Sequence, residues 1–208
     1  MLTLPEHITA STGFDAFCHS FESMLHPNAS PYTDCLALEA IRLIVESLPS
    51  LLKDLKNLEL RYKMALADTF AGICIANAGV TLPHGVGMAI SGLYPHVMHG
   101  ESLAIIYPAF TRFTCKYSVP QFAAVGRIFD PKLKNVSDEI ATEKSCEAID
   151  EFLKNIGMWM NLRDVKMPEE EIPLLAKASM VLPDYKANPR IASDEEMLEL
   201  IKQSYYKD

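Results

Sequence analysis

Asp15 and His19 stand four residues apart in the run Thr12-Gly13-Phe14-Asp15-Ala16-Phe17-Cys18-His19-Ser20. On a helix that spacing sets both side chains on one face, near enough to touch. A carboxylate and an imidazole so placed can share a divalent cation, or simply bond to each other. A second cluster is Leu82-Pro83-His84-Gly85-Val86-Gly87-Met88, followed by Tyr94-Pro95-His96-Val97-Met98-His99-Gly100-Glu101. Three of the six histidines fall within these few turns of otherwise apolar, glycine-punctuated sequence. Drying imidazoles without partners is costly, so the crowding points to a shared ligand. For any one of them, a hydrogen-bonded core or surface histidine is the plainer reading. Taken together the clusters offer one Asp and up to three His, a donor set that suits Fe(II) or Zn(II) better than Ca or Mg. His7 and His26 have polar or proline neighbours and read as surface residues.

The elements that would carry these side chains are helical. Ser30-Pro31 is an N-cap followed by proline in the first helical position. Ala37, Ala40, Ile41, Ile44, Val45 and Leu48 then share one face, and Pro49 is expected to end or kink that helix. A second helix is expected over 58–77, alanine-rich and apolar around much of its circumference, as a central buried helix would be. Ser137 caps a helix with the stripe Ile149, Phe152, Leu153 and Ile156, which Gly157 ends. Pro168 opens a short acidic helix, and Ser193 with Glu196 forms a capping box before Met197, Leu200 and Ile201. Two-residue alternation over strand length is nearly absent. These signals predict an all-α fold of seven to nine helices with no internal boundary.

Composition narrows the function. The chain has 208 residues, 49% hydrophobic and 22% charged, enough to bury a core without staples. A net charge of −8 argues against nucleic acid or anionic membrane as partner. The five cysteines are odd in number and form no C-x-x-C pair, which fits a reducing cytoplasm rather than a disulfide framework. The first residues lack a basic and an apolar region, so no signal peptide is expected. The apolar stretch from Phe70 to Leu82 is too short to span a bilayer. No G-x-G-x-x-G or G-x-x-x-x-G-K-[ST] loop is present, and Gly85-Val86-Gly87 reads as helix entry or close helix packing.

The run Thr9-Ala10-Ser11-Thr12-Gly13-Phe14-Asp15-Ala16, with His19-Ser20 and Glu22, resembles the start of the helical C-terminal domain of iron-containing (group III) alcohol dehydrogenases. Ala76-Asn77-Ala78-Gly79, Leu82-Pro83-His84-Gly85 and His99-Gly100-Glu101 are similar to that family's two-histidine signature. The resemblance runs over essentially the whole chain and implies a multi-helix domain like the C-terminal half of dehydroquinate synthase-like enzymes. It implies Asp15, His19, His84 and His99 as the metal ligands, with His96 the obvious competitor. It also implies small side chains at Ala78-Gly79 for close packing, and Ile75 as a wall of the substrate or nicotinamide pocket, for which plain core is the bland alternative. Many members carry another histidine where this chain has Met88, so the resemblance assigns no proton relay.

The resemblance thus implies a metal-dependent oxidoreductase acting on primary alcohols, diols or aldehydes with NAD or NADP. Its metal polarises the alcohol oxygen while hydride passes to nicotinamide. Residues 1–208 would be the helical metal-binding domain alone, with the N-terminal Rossmann-like nucleotide domain lying outside this chain. By itself the chain is then expected to be inactive, with an apolar docking face that favours homo-oligomers. Two rivals are a non-catalytic metal-binding or assembly module from a truncated gene, and a helical metal-dependent hydrolase. The hydrolase lacks an adjacent His-Asp pair and a second carboxylate placed as base.

Overall fold

The helix that carries Asp15 and His19, α1 (Glu6–Leu25), is enclosed along most of its length. Phe14, Phe17 and Phe21 are fully buried on it. Phe14 meets Tyr107 edge-on with ring centroids 5.2 Å apart, and Phe21 meets Phe122 at 4.8 Å. Such aromatic pairs bury large areas and favour tilted contacts, which fixes α1 against its neighbours. The helices α2 (Pro31–Lys53), α3 (Leu58–Asn77) and α5 (His99–Thr114) also pack on α1. Next to α5 lies α4 (Leu82–Leu93), and α6 (Val119–Phe129) pairs with α7 (Asp138–Asn155). The chain closes with α8 (Ile172–Ser179), packed on α4, and α9 (Asp194–Tyr206), packed on α8 and α5. This computed structural model describes residues 1–207, and among them there are nine α-helices, four short 3-10 turns and no strand.

Most helix ends lie where the capping residues put them. Ser30 Oγ accepts the Thr33 N–H while Thr33 Oγ1 accepts the Ser30 N–H. Ser193 and Glu196 form the same reciprocal pair. Ser137 caps α7, and Gly157, at φ 70°, follows its end. After Pro168 a 3-10 turn over Glu169–Glu171 leads into α8.

Two expectations are corrected, the first in one of its two alternatives, an end at Pro49. α2 does not end at Pro49 but continues to Lys53. Proline removes one backbone donor there, yet Leu48 and Leu51 are fully buried on either side and hold the last turn to the core. Nor is α3 a central helix. Only Arg61, Met64, Ala67, Ala71 and Cys74 are buried, a single stripe facing α1 and α2, while Leu58 and Tyr62 are each 69% exposed. Alanine counts as apolar but offers little area to bury, so an alanine-rich circumference overstates how much of a helix is covered. The enclosed position belongs to α1, whose phenylalanines supply the area.

No single helix among the described residues is long and apolar enough to cross a membrane. α3 and α4 together have the length and composition, but they are bent by 101° at their junction. That bend aims the start of α4 at α1. Gly79 sits in it at φ 115°, where a side chain would be strained. A Cβ there would also come within 3.0 Å of His26 Nε2.

Candidate metal centre

Asp15, His19 and His84 bring ligand atoms within 4.8 Å of one another, and His99 reaches the same carboxylate from a third helix. Asp15 and His19 project from one face of α1, with His19 Nε2 3.3 Å from Asp15 Oδ1. His84, in the first turn of α4, brings its Nε2 to 3.5 Å from the same oxygen. His99, the first residue of α5, brings its Nε2 to 3.7 Å. The His19 and His84 rings are stacked at 4.8 Å, and those of His84 and His99 lie 5.2 Å apart. Asp15 Oδ1 is therefore the hub of three imidazoles drawn from three helices.

Local packing explains how α5 delivers His99. Glu101 accepts the Met98 N–H and locks the first turn of that helix. The next residue after His99, Gly100, lies directly on the α1 backbone, where a Cβ would fall 2.2 Å from the Ser11 carbonyl oxygen. Only glycine permits that approach. Gly87 plays a milder version of the same part between α4 and α5, since a Cβ on it would meet Ser102 Oγ at 3.0 Å. Gly87 and Gly100 of the second histidine cluster thus serve close helix packing, while a Cβ on Gly85 would meet Asp184 at an ordinary 3.4 Å.

Behind His84 stands a residue that sequence reasoning left without a role. Glu22 is fully buried, and its Oε1 lies 2.9 Å from His84 Nδ1. Its Oε2 accepts the Thr81 N–H at 2.8 Å and the Thr81 hydroxyl at 3.2 Å. The signal that could have found it is the spacing Asp15, His19, Glu22, a stripe with helical period on which a buried carboxylate needs a partner. His26 continues that stripe and is half-buried, not free at the surface. It accepts the Asn28 N–H on Nδ1 and packs its ring over Gly79.

Burial and charge act differently on the four side chains. Burial alone would raise the Asp15 carboxyl, but His84, His19 and His99 around it hold it below its ordinary value. Burial pushes His19 and His99 down toward neutral imidazole, with Asp15 opposing only in part. His84 goes the other way: burial would lower it, but the carboxylates of Glu22 and Asp15 on its two sides push it up to about 10.

The donor set fits a divalent cation. Among the described residues, Asp15 Oδ1 and His84 Nε2 are buried polar atoms with no hydrogen-bond partner. Leaving such atoms dry and unpaired costs free energy, and a shared ion would satisfy both. Two ligands each about 2.1 Å from a tetrahedral ion stand about 3.4 Å apart; the three imidazoles stand 3.3–3.7 Å from Asp15 Oδ1, with His99 outside the group whose ligand atoms all lie within 4.8 Å of one another. Side-chain exposure rises from 6% at His84 to 37% at His99, so the cluster is closed on one side and open on the other.

His96 is exposed and its Nε2 bonds to the Val165 carbonyl oxygen, 3.0 Å away. Met88 is 39% exposed on the following turn of α4. Ile75 is half-buried in the last turn of α3. His7 is exposed.

The sequence model described as Fe-containing alcohol dehydrogenase family, C-terminal, matches residues 9–205. The chain is 30% identical to 1,3-propanediol dehydrogenase of Klebsiella pneumoniae, covering 99% of this chain and 53% of that protein. It is 29% identical to NAD-dependent methanol dehydrogenase of Bacillus methanolicus, covering 98% and 53%. A crystal structure of 1,3-propanediol oxidoreductase superposes with a TM-score of 0.94 at 30% identity, covering 99% of this chain and 53% of that one. The chain spans about half the length of the curated relatives it matches.

Proposed function

The chain belongs to the iron-containing alcohol dehydrogenase family, and from that premise we propose that residues 1–208 are its helical metal-binding domain, with Asp15, His19, His84 and His99 as the ligands. The observation that carries this reading is the unpaired, buried pair Asp15 Oδ1 and His84 Nε2, ringed by two more imidazoles. Fe(II) is the proposed cation, with Zn(II) able to take the same donors. A divalent cation in such a site supplies Lewis acidity toward an alcohol or carbonyl oxygen.

The residues divide the remaining work. Asp15 contributes one negative charge and the three imidazoles none, so the set leaves net positive charge facing the open side. His84, the most enclosed ligand, fixes depth, while the partly exposed His99 borders the side from which a substrate enters. The proposed reaction of the complete enzyme is oxidation of a small alcohol, or reduction of the matching aldehyde, with NAD or NADP. The dinucleotide would sit on a nucleotide-binding domain outside these residues, for no strand occurs among those described. Five free cysteines, four of them buried, agree with a reducing cytoplasm.

Titration of the metal-free chain with Zn(II), or with Fe(II) under anaerobic conditions, tests the reading. One ion per chain is expected. At free metal 100 times Kd, linkage adds about 2.7 kcal/mol of stability. At 2–4 °C per kcal/mol for a chain of this size, that raises Tm by roughly 5–11 °C, reversibly with chelator. No stoichiometric binding, or a Tm indifferent to metal, would sink it.

A further inference from the structure

Among the described residues, Glu22 is the one buried carboxylate in contact with the proposed ligand set that is not itself a ligand, and its bonding has a direction. Oε2 is occupied by two donors, the Thr81 N–H and the Thr81 hydroxyl. Oε1 faces only His84 Nδ1. With the carboxylate acting purely as acceptor, the imidazole must place a proton on Nδ1 and donate it to Glu22. The nitrogen left to face Asp15 Oδ1 is then Nε2, the atom that has no hydrogen-bond partner among the described residues. We propose that Glu22 is a positioning residue for the metal centre: it fixes the tautomer and orientation of His84 so that the Nε2 lone pair points at the cation.

The same carboxylate ties His84 to α1 by a second route. Thr81 is the residue before α4, at the end of the sharp α3–α4 bend, and both of its donors go to Glu22. One side chain thus holds the end of the bend and the ring that the bend delivers. A carboxylate behind a ligating histidine makes the ring more basic toward metal, and losing such a group typically weakens binding 10- to 100-fold. The proposal rests on the metal-site reading above.

Glu22→Gln separates the two roles of this side chain. The amide oxygen can still accept from Thr81, but its NH2 would face His84 Nδ1 and donate to it. That forces the ring proton to Nε2, the wrong atom for ligation. Calorimetric Zn(II) titration of Glu22→Gln should show a 10- to 100-fold weaker Kd than wild type with an unchanged far-UV CD spectrum. Thr81→Val, which removes only the hydroxyl bond, should bind Zn(II) as wild type does. A wild-type Kd in Glu22→Gln, or an equal loss in Thr81→Val, would overturn the proposal and reduce Glu22 to an anchor of the bend. If Glu22→Gln does not fold, long-range 1H–15N NMR of the Zn(II)-loaded wild type decides: His84 must carry its proton on Nδ1, and a proton on Nε2 refutes the assignment. Failure of the wild-type chain to bind Zn(II) at all would instead refute the underlying site.

Discussion

At the scale of single residues, the site is governed by the cost of leaving polar atoms dry. Among the described residues, Asp15 Oδ1 and His84 Nε2 have no hydrogen-bond partner, and they stand 3.5 Å from each other with two more imidazoles beside the carboxylate. His99 and His96 make a sharp test, because they are three residues apart and only one faces the hub. His99→Ala should abolish stoichiometric Fe or Zn binding, read by elemental analysis of dialysed protein. His96→Ala should keep one ion per chain, since its ring bonds the Val165 carbonyl oxygen instead. The reverse result would reassign the ligand. Periodicity alone made Asp15 and His19 neighbours, because four residues on a helix suffice for that. It could not distinguish His96 from His99, which depends on where α5 begins. Glu22 was hidden for a different reason: a lone glutamate in a helix is ordinarily solvated, and only burial reveals its work.

At the scale of elements, the site depends on how closely helices can approach. Gly100 meets the α1 backbone so tightly that a Cβ would lie 2.2 Å from a carbonyl oxygen, which is rigid and cannot turn aside. Gly100→Ala should therefore push α5 off α1, costing about 3 kcal/mol, or roughly 6–12 °C in Tm, and weakening metal binding with it. Gly72 is the control. It lies in the interior of α3 with open space for 4 Å around the place a methyl would take, so Gly72→Ala should stabilise by about 0.5–1 kcal/mol through helix propensity. Thermal unfolding of both variants checks the pair, and a destabilised Gly72→Ala would mean that exposed helix propensity does not set the sign. Helix limits were legible wherever a cap wrote them, as at Ser30, Ser137 and Ser193. The course of α2 past Pro49 and the partial burial of α3 were not, because both are decided by neighbours that local sequence does not contain.

At the scale of the molecule, the hard step is bringing α4 and α5 to α1. Nothing in helical periodicity joins His84 to Asp15; the bend at Gly79 and the contact at Gly100 do so, and in the sequence only the resemblance to a family implied it. The same scale sets the limit of what these residues can do alone. Hydride transfer requires the carbinol carbon and nicotinamide C4 at roughly 3–3.5 Å, and holding them there supplies much of the barrier reduction. Dinucleotides are ordinarily held by a glycine-rich turn between strand and helix, with the pyrophosphate on the helix N-terminus. Among the described residues there is no strand to begin such a unit. The 208-residue chain, loaded with Fe(II) or Zn(II) and given NAD or NADP with 1-butanol or 1,2-propanediol, should show no reduction of nicotinamide by absorbance while still retaining its metal. Turnover that disappears in His84→Ala would mean that the helical half seats the cofactor by itself, and the division of the active site between two domains would have to be abandoned.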